Sequence, residues 1–168
     1  MRNKSRRGQA LVEFALVMPV FFGLLFGLIE LSLIYTSVAL TGTAADRATH
    51  IEAITGTRSA TVDKHAVTAA LNLLQPLFMA HVVRIEVYQS DAQGDGPQIA
   101  SENVFDGTGS LITGNWPVAA RAATTGAPLY IGVRITYQYT WVTSFIGAAG
   151  AKLTLQANAI TPELPLGG

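Results

Sequence analysis

The feature that most constrains this chain is a long apolar segment close to its N-terminus. Residues 14–29 read FALVMPVFFGLLFGLI without a charge, and after Glu30 the apolar sequence resumes as far as Tyr35. A helix needs about 20 residues to cross the ~30 Å hydrocarbon core of a bilayer, because each residue adds about 1.5 Å. We therefore expect a transmembrane helix over about 11–35, with a buried core helix as the alternative.

The charges are distributed unevenly around this segment. Four of the eleven basic residues lie within the first seven positions, namely Arg2, Lys4, Arg6 and Arg7. The positive-inside rule keeps that end of the chain in the cytoplasm and places the rest outside the inner membrane. The remainder has more acidic than basic residues and lacks the basic face that nucleic-acid binding requires. We therefore expect the membrane, and no nucleic acid, among its partners.

Two carboxylates and two glycines give the apolar segment further features. Glu13 lies near the cytoplasmic boundary, where a carboxylate is costly unless it has a partner. Glu30 lies 17 residues later, about 25 Å along a helix, close to the outer headgroups. A solvated position and a packing role are both open for Glu30. Gly23 and Gly27 have the spacing that lets two membrane helices approach closely, while Pro19 removes one backbone hydrogen bond and favours a kink.

The stretch RRGQALVEFALVMP at 6–19 resembles the N-terminus of TadE-like proteins, the minor pilins or pseudopilins of the Tad (tight adherence, Flp-type) pilus. It also fits the type IV prepilin pattern, in which a basic leader ends in Gly and Glu follows at the fifth mature position. The resemblance implies that a prepilin peptidase cuts after Gly8 and makes Gln9 the first mature residue. It also implies that Glu13 and the neighbouring Phe14 set register during assembly.

The resemblance implies a structural and assembly protein of a Tad-type pilus that acts in surface adherence, rather than an enzyme. Its expected partners are the prepilin peptidase, other pilins and pseudopilins, and the inner-membrane platform proteins of the pilus machine. Its expected location is the bacterial inner membrane, with a single pass, a cytoplasmic N-terminus and a periplasmic domain, or the extracellular pilus after assembly.

Helix packing is assigned to Gly23, Gly27 and Glu30, since 27–31 is also similar to the TadE helix, which often carries a second Glu. In a helical bundle, the Glu13 carboxylate of one subunit is expected to pair with the Gln9 amine of its neighbour.

The sequence after the apolar segment predicts an α+β fold, in which a long N-terminal transmembrane helix is followed by a short helix and a three- to four-stranded antiparallel sheet. The expected divisions are a leader at 1–8, a long helix at 9–55 and an extracytoplasmic domain at 56–168. In the long helix, we expect an inward face of Val38, Ala45, Ala48 and Ile51, and an outward face of Asp46, Arg47 and Glu52. Thr61 is expected to cap the short helix, whose apolar stripe would be Val67, Leu71, Leu74 and Phe78.

Strands are predicted at 81–89, 98–103, 129–141 and 152–161, from period-two alternation that is strongest in the third of them. In the first, Val83, Ile85 and Val87 would share one face. In the third, the shared face would consist of Ile131, Val133, Ile135, Tyr137 and Tyr139. The Gly-, Thr- and Ala-rich stretch at 106–128 is expected to be a loop.

The sequence offers little for catalysis or metal binding. The chain has no cysteine, which excludes thiol catalysis and cysteine-ligated zinc. His50, His65 and His81 lack the spacing of a helical metal pair. Three aspartates have oxygen ligands suited to Ca²⁺ but match no calcium loop, namely Asp91, Asp95 and Asp106. We expect no enzymatic activity, metal or cofactor. The alternatives are an uncleaved single-pass envelope protein whose outer domain binds a ligand or partner protein and, less favoured, a membrane-tethered hydrolase.

Overall fold

The computed structural model describes residues 3–55, 61–91, 101–121, 129–143 and 150–163, with side chains from residue 8 onwards. Two helices come first, α1 (Asn3–Thr55) and α2 (Val62–Leu74). The strands follow as β1 (Ala80–Ser90), β2 (Glu102–Asp106), β3 (Leu111–Gly114), β4 (Tyr130–Thr140) and β5 (Lys152–Pro162), with a 3-10 helix (Val118–Ala120) between β3 and β4.

The five strands form one antiparallel sheet in the order β3-β2-β1-β4-β5. The predicted α+β class is therefore confirmed, with five strands instead of three or four. The prediction of a loop at 106–128 is wrong where β3 and the 3-10 helix lie. β3 is a four-residue edge strand with every residue exposed, so no alternation of apolar and polar residues marked it.

The central strands β1 and β4 supply most of the sheet's buried face. In β4 the predicted inward residues are all buried, namely Ile131, Val133, Ile135, Tyr137 and Tyr139. In β1, Ile85 and Val87 are buried, whereas Val83 is 44% exposed. A register irregularity between Val82 and Arg84 explains this difference. A bulge adds one residue to a strand and moves the preceding side chains to the opposite face, so Val82 packs against the core instead.

The second half of α1 packs along the sheet through small side chains. Its buried residues from position 37 onwards are Ser37, Thr41, Ala44, Ala45, Ala48, Thr49, Glu52 and Ala53. Small residues let the helix lie close to β4 and β5, and the hydroxyl groups of Thr41 and Thr49 donate to carbonyls one helical turn earlier. The inward prediction for Ala45 and Ala48 is confirmed, but Val38 is 46% exposed.

The remaining elements show two further differences from the predictions. In α2, Val67 and Leu74 are buried and Leu71 packs against the core, but Phe78 is 74% exposed because the helix ends at Leu74. Thr61 occupies the N-cap position, and its side chain makes no capping hydrogen bond. The strand predicted at 98–103 runs over Glu102–Asp106 instead, where Val104 and Phe105 are the buried apolar residues. Positions 98–100 lie outside the described residues.

Candidate functional site

The first half of α1 presents an apolar surface that the rest of the protein does not cover. Between residues 8 and 29, every residue is exposed or half-exposed. The most apolar 18-residue window of the helix has a mean hydropathy of 2.3, and none of it is buried. Within the described residues, Gly8–Thr55 is the one helix long and apolar enough to cross a membrane. This segment is not the core helix of the outer domain, and its composition fits a membrane anchor.

The residues predicted to take part in processing and register lie at the start of this surface. Gly8 is exposed and helical, and a Cβ atom built on it would have no neighbour within 4 Å. The Gln9 side-chain amide donates to the Glu13 carboxylate over 3.1 Å, so the two side chains share one helix face. Phe14 is exposed. Cleavage after Gly8 and a register role for Glu13 and Phe14 stay predictions, and the side chains of the four leading basic residues lie outside the described part of the chain.

Gly23 and Gly27 lie on the same face of α1 as Glu30, because their spacings of four and three residues return to one side of a helix. Both glycines are half-exposed. The face that holds them continues directly into the face of α1 that carries the outer domain. A partner helix that approached these glycines would therefore lie beneath that domain.

Glu30 is buried and joins α1 to the end of β4. Its carboxylate accepts hydrogen bonds from the Tyr139 hydroxyl at 2.7 Å, the Val142 amide at 3.1 Å and the Thr143 amide at 2.8 Å. Three donors offset the cost of removing an ionised carboxylate from water. Burial, together with this hydrogen bond, raises the pKa of Tyr139 and keeps the phenol protonated.

The structure therefore contradicts the solvated position considered for Glu30 and gives this residue a partner within its own chain. A packing role towards a neighbouring helix stays a prediction. The sequence signal for the intrachain contact was only an acidic residue in an apolar helix, since Tyr139 lies 109 positions away.

A second buried cluster lies at the other end of the domain, around Arg121. The guanidinium donates to Glu52 at 3.1 Å and to both oxygens of Asp63 at 2.6 Å. It also donates to the Trp116 carbonyl and stacks over the Trp116 ring at 4.3 Å. Asn103 donates to Asp63 and to the same carbonyl. The cluster connects both helices to β2 and to the segment after β3.

The prediction that Glu52 faces outward is wrong, because this carboxylate is fully buried against Arg121. Burial, followed by the negative charge of Asp63, raises the pKa of Glu52 to about 9, although the Arg121 charge opposes this. Burial likewise raises the pKa of Glu163, again against the Arg121 charge. Glu52 is therefore neutral at pH 7, although it lies against the Arg121 guanidinium.

The histidines and aspartates considered for metal binding do not converge within the described residues. No group of three or more His, Asp or Glu side chains there could hold a metal ion. His50, His65 and His81 are exposed on three separate elements. The Asp106 carboxylate accepts the Thr108 and Ser110 amides at 2.8 and 2.9 Å, which fixes the β2–β3 turn; Asp95 lies outside the described residues.

Residues 8–49 match a family model described as TadE-like protein. This match confirms the resemblance inferred from 6–19, and it extends from Gly8 through the exposed apolar segment into the part of α1 that carries the domain. TadE-like proteins are a structural, pilin-like family associated with the Tad pilus. The matched region is the N-terminal quarter of the chain, and the sheet lies outside it. No curated protein and no solved structure matches the chain.

Proposed function

We propose that this protein is a minor pilin of a Tad-type pilus, made as a membrane-anchored precursor and cut after Gly8. One observation carries the proposal: the family match covers a helix with an uncovered apolar first half and a second half fixed to an α+β domain. A free apolar helix can pack side by side with equivalent helices, first in the bilayer and then in a fibre. The domain fixed to it would project from the assembly and support adherence.

The contacts of Glu30 support a shorter membrane span than the sequence suggested. The uncovered apolar run from Leu11 to Ile29 is about 28 Å long, close to the thickness of the hydrocarbon core. From Glu30 onwards, one side of α1 contacts the outer domain, and a folded polar domain does not enter the hydrocarbon. We therefore place the outer boundary near residue 30 instead of residue 35, with the basic N-terminus in the cytoplasm and the domain in the periplasm.

Cleavage after Gly8 would change the electrostatics of the helix start. It would remove all four leading basic residues and create a new α-amino group on Gln9. The Glu13 carboxylate lies one helical turn away on the same face, where it accepts a hydrogen bond of 3.1 Å from the side-chain amide of Gln9. In the low dielectric of a helical bundle, this carboxylate and the amine of a neighbouring subunit could fix the axial register, even where the net stabilisation is small.

The deciding experiment is the intact mass and N-terminal sequence of the full chain, expressed with an active or an inactivated Tad-type prepilin peptidase. We expect loss of residues 1–8, with Gln9 first, only with the active peptidase. Gly8→Ala should slow cleavage, because Ala stabilises the helical state by about 1 kcal/mol relative to Gly and the peptidase needs an unwound bond.

Gly42→Ala is the matched control, since Gly42 is also helical and a Cβ there also has no neighbour within 4 Å. Cleavage of this variant should equal that of the wild type. A leader that stays intact with the active peptidase would overturn the proposal and favour the uncleaved envelope protein.

A further inference from the structure

We infer that the end of the outer domain formed by residues 141–143 and Lys152 rests on the lipid headgroups of the bilayer, with Trp141 as its interfacial anchor. The inference rests on the proposed membrane insertion of α1 and adds a second, separate lipid contact made by the sheet. The lipid surface would then hold the domain in one orientation before assembly.

The hydrogen bonds of Glu30 set the height of this surface. The amides of Val142 and Thr143 lie 3.1 and 2.8 Å from the Glu30 carboxylate. Glu30 directly follows Ile29, the last residue of the uncovered apolar run. If that run crosses the hydrocarbon core, these two amides lie at its outer boundary. The segment after β4 thus has a fixed depth relative to the membrane.

The side chains at this end have the chemistry of an interfacial contact. Trp141 is half-buried, and its ring packs edge-on against Tyr139 with centroids 6.0 Å apart. Val142 is 47% exposed. Tryptophan and tyrosine are enriched at the headgroup level of membrane proteins, and exposed Tyr35 lies about 8 Å above Glu30 along α1. Trp141 and Tyr35 would lie in one aromatic belt at the outer interface, with Val142 beside Trp141.

The charges at this end favour lipid as the occupant. From Ile135 to Ala151 the sequence has no charged residue, and Lys152 follows at the start of β5. Lys152 is exposed, so its ammonium group can reach a lipid phosphate while its methylene chain stays near the apolar surface. The Glu30 carboxylate at this end is buried and hydrogen-bonded, and residues 135–151 add no carboxylate that an anionic bilayer would repel.

The opposite end of the domain has a contrasting character. The cluster of Glu52, Asp63 and Arg121 lies there, and Glu52 follows Glu30 by about 33 Å along α1. Trp116, which stacks on Arg121, is therefore held far from the bilayer. The protein has two tryptophans, so each end of the domain has one native fluorescence reporter.

The test measures tryptophan quenching in vesicles that contain the full chain and phosphatidylcholine, phosphatidylglycerol and a brominated phosphatidylcholine. Bromine near the headgroup end of the acyl chain is a shallow quencher, and bromine near its methyl end is a deep one. In Trp116→Phe, we expect the shallow quencher to reduce Trp141 fluorescence by about half or more, and the deep quencher to act less. In Trp141→Phe, neither quencher should affect Trp116.

Two further variants keep the result unambiguous. Phe22→Trp in a background without the native tryptophans reports α1 insertion through the deep quencher. Val142→Trp in the Trp141→Phe background keeps Trp116 and the Arg121 cluster intact, and it is a second reporter of the β4 end when compared with Trp141→Phe alone. Quenching at Val142→Trp by the shallow quencher would support the inference.

Three outcomes would overturn the inference. If Phe22→Trp is quenched but the reporters at 141 and 142 are not, the helix inserts and the domain stands clear of the lipid. If none is quenched, the proposed membrane insertion fails as well. If the reporters at 141 and 142 are quenched less as the ratio of protein to lipid rises, a second copy of the chain covers this end instead.

Discussion

At the scale of single residues, the carboxylate of Glu30 determines how the domain is attached to the helix. It is buried, and its three hydrogen bonds all come from the segment that ends β4 and follows it. An acidic residue inside an apolar helix is commonly a candidate for pairing with another subunit. Here the carboxylate has enough donors within its own chain, so its first role is to hold the domain against α1.

Replacement of Glu30 tests this role. Glu30→Ala leaves the Tyr139 hydroxyl and two backbone amides without their acceptor, so we expect the free energy of unfolding of the outer domain to fall by about 2–4 kcal/mol. Tyr139→Phe removes one donor only and should cost about 1 kcal/mol. Denaturant titration of the full chain in detergent micelles, followed by tryptophan fluorescence, measures both.

Ser32→Ala is the control, since its exposed hydroxyl donates to the carbonyl of Leu28 one helical turn earlier. This variant should change the free energy of unfolding by less than about 0.5 kcal/mol. If Glu30→Ala unfolds at the same denaturant concentration as Ser32→Ala, the proposed attachment is wrong.

Glu52 predicts a pH dependence of stability. Its pKa is about 9 in the folded protein and near the ordinary value of 4.5 in the unfolded chain. Between these values the folded state binds more protons, so the contribution of Glu52 to stability is full below about pH 4.5 and is lost towards pH 9. Glu52→Gln keeps a neutral side chain at every pH, and its free energy of unfolding should therefore fall less steeply over this range.

Urea unfolding at about pH 5 and about pH 8 measures the difference between the two slopes. The raised pKa values of Glu86 and Glu163 give slopes of the same sign in both proteins, so the comparison isolates Glu52. Asp46→Asn, which changes an exposed carboxylate of α1, should leave the slope unchanged. Parallel pH profiles for Glu52→Gln and the wild type would refute the assignment of a neutral buried acid.

At the scale of elements, the two halves of α1 differ in what covers them. The outer half, from Glu30 onwards, buries small side chains against the sheet, whereas the inner half, residues 8–29, is covered by nothing in the described structure. Gly23 and Gly27 lie in the inner half on the face that continues towards Glu30. We propose that a neighbouring pilin helix packs there, because small residues allow the close approach that drives helix association in lipid.

Bulk at these glycines should weaken that association. In cells that assemble the pilus, we expect Gly23→Leu with Gly27→Leu to reduce cysteine cross-linking between helices about fivefold, which corresponds to a loss of about 1 kcal/mol. A single cysteine at Val20, an exposed position in the same half, supplies the reporter. Leu24→Phe with Leu28→Phe adds bulk at the same depth on another face and should have no effect. Unchanged cross-linking in the glycine variant would contradict packing at this face.

The elements differ in how far the sequence could predict them, and the reason is the distance between partners. Strands β1, β4 and β5 alternate over several residues, so local periodicity was sufficient. β3 is short and exposed, and it is defined only by its pairing with β2. The bulge in β1 depends on the register with β4, which the sequence of β1 alone does not contain.

The same reason applies to the two buried carboxylates. Glu52 was expected to face solvent because it is charged, and its partner Arg121 lies 69 positions later. Glu30 bonds to a tyrosine 109 positions later. By contrast, the resemblance at 6–19 required only contiguous residues, and the family match over 8–49 confirms it. Contiguous motifs could thus be identified, while pairs of buried charges required the fold.

At the scale of the whole molecule, the residues that hold the outer domain are separate from the apolar surface that we propose enters the membrane. Glu30 and the small residues of α1 fix the domain, and the Arg121 cluster stabilises its opposite end. The inner half of α1 takes no part in these contacts, and we propose that it is available to the membrane and to other subunits. In that half, Glu13 is an exposed carboxylate within an apolar surface. Because it takes no part in holding the domain, its role is expected only when helices assemble.

Substitution of Glu13 should therefore separate processing from assembly. In Glu13→Ala we expect cleavage after Gly8 to persist, while the amount of protein in sheared pili falls about tenfold, equivalent to 1.4 kcal/mol of lost pairing. Glu13→Gln keeps a polar partner for Gln9 but removes the charge, so it should show the same loss if pairing with the neighbouring amine is ionic. Immunoblots of sheared pili, together with the N-terminal sequence of the membrane-bound protein, measure both steps. Asp46→Asn again serves as the control. Normal incorporation of Glu13→Ala into pili would refute the pairing, because the register would then depend on apolar contacts alone.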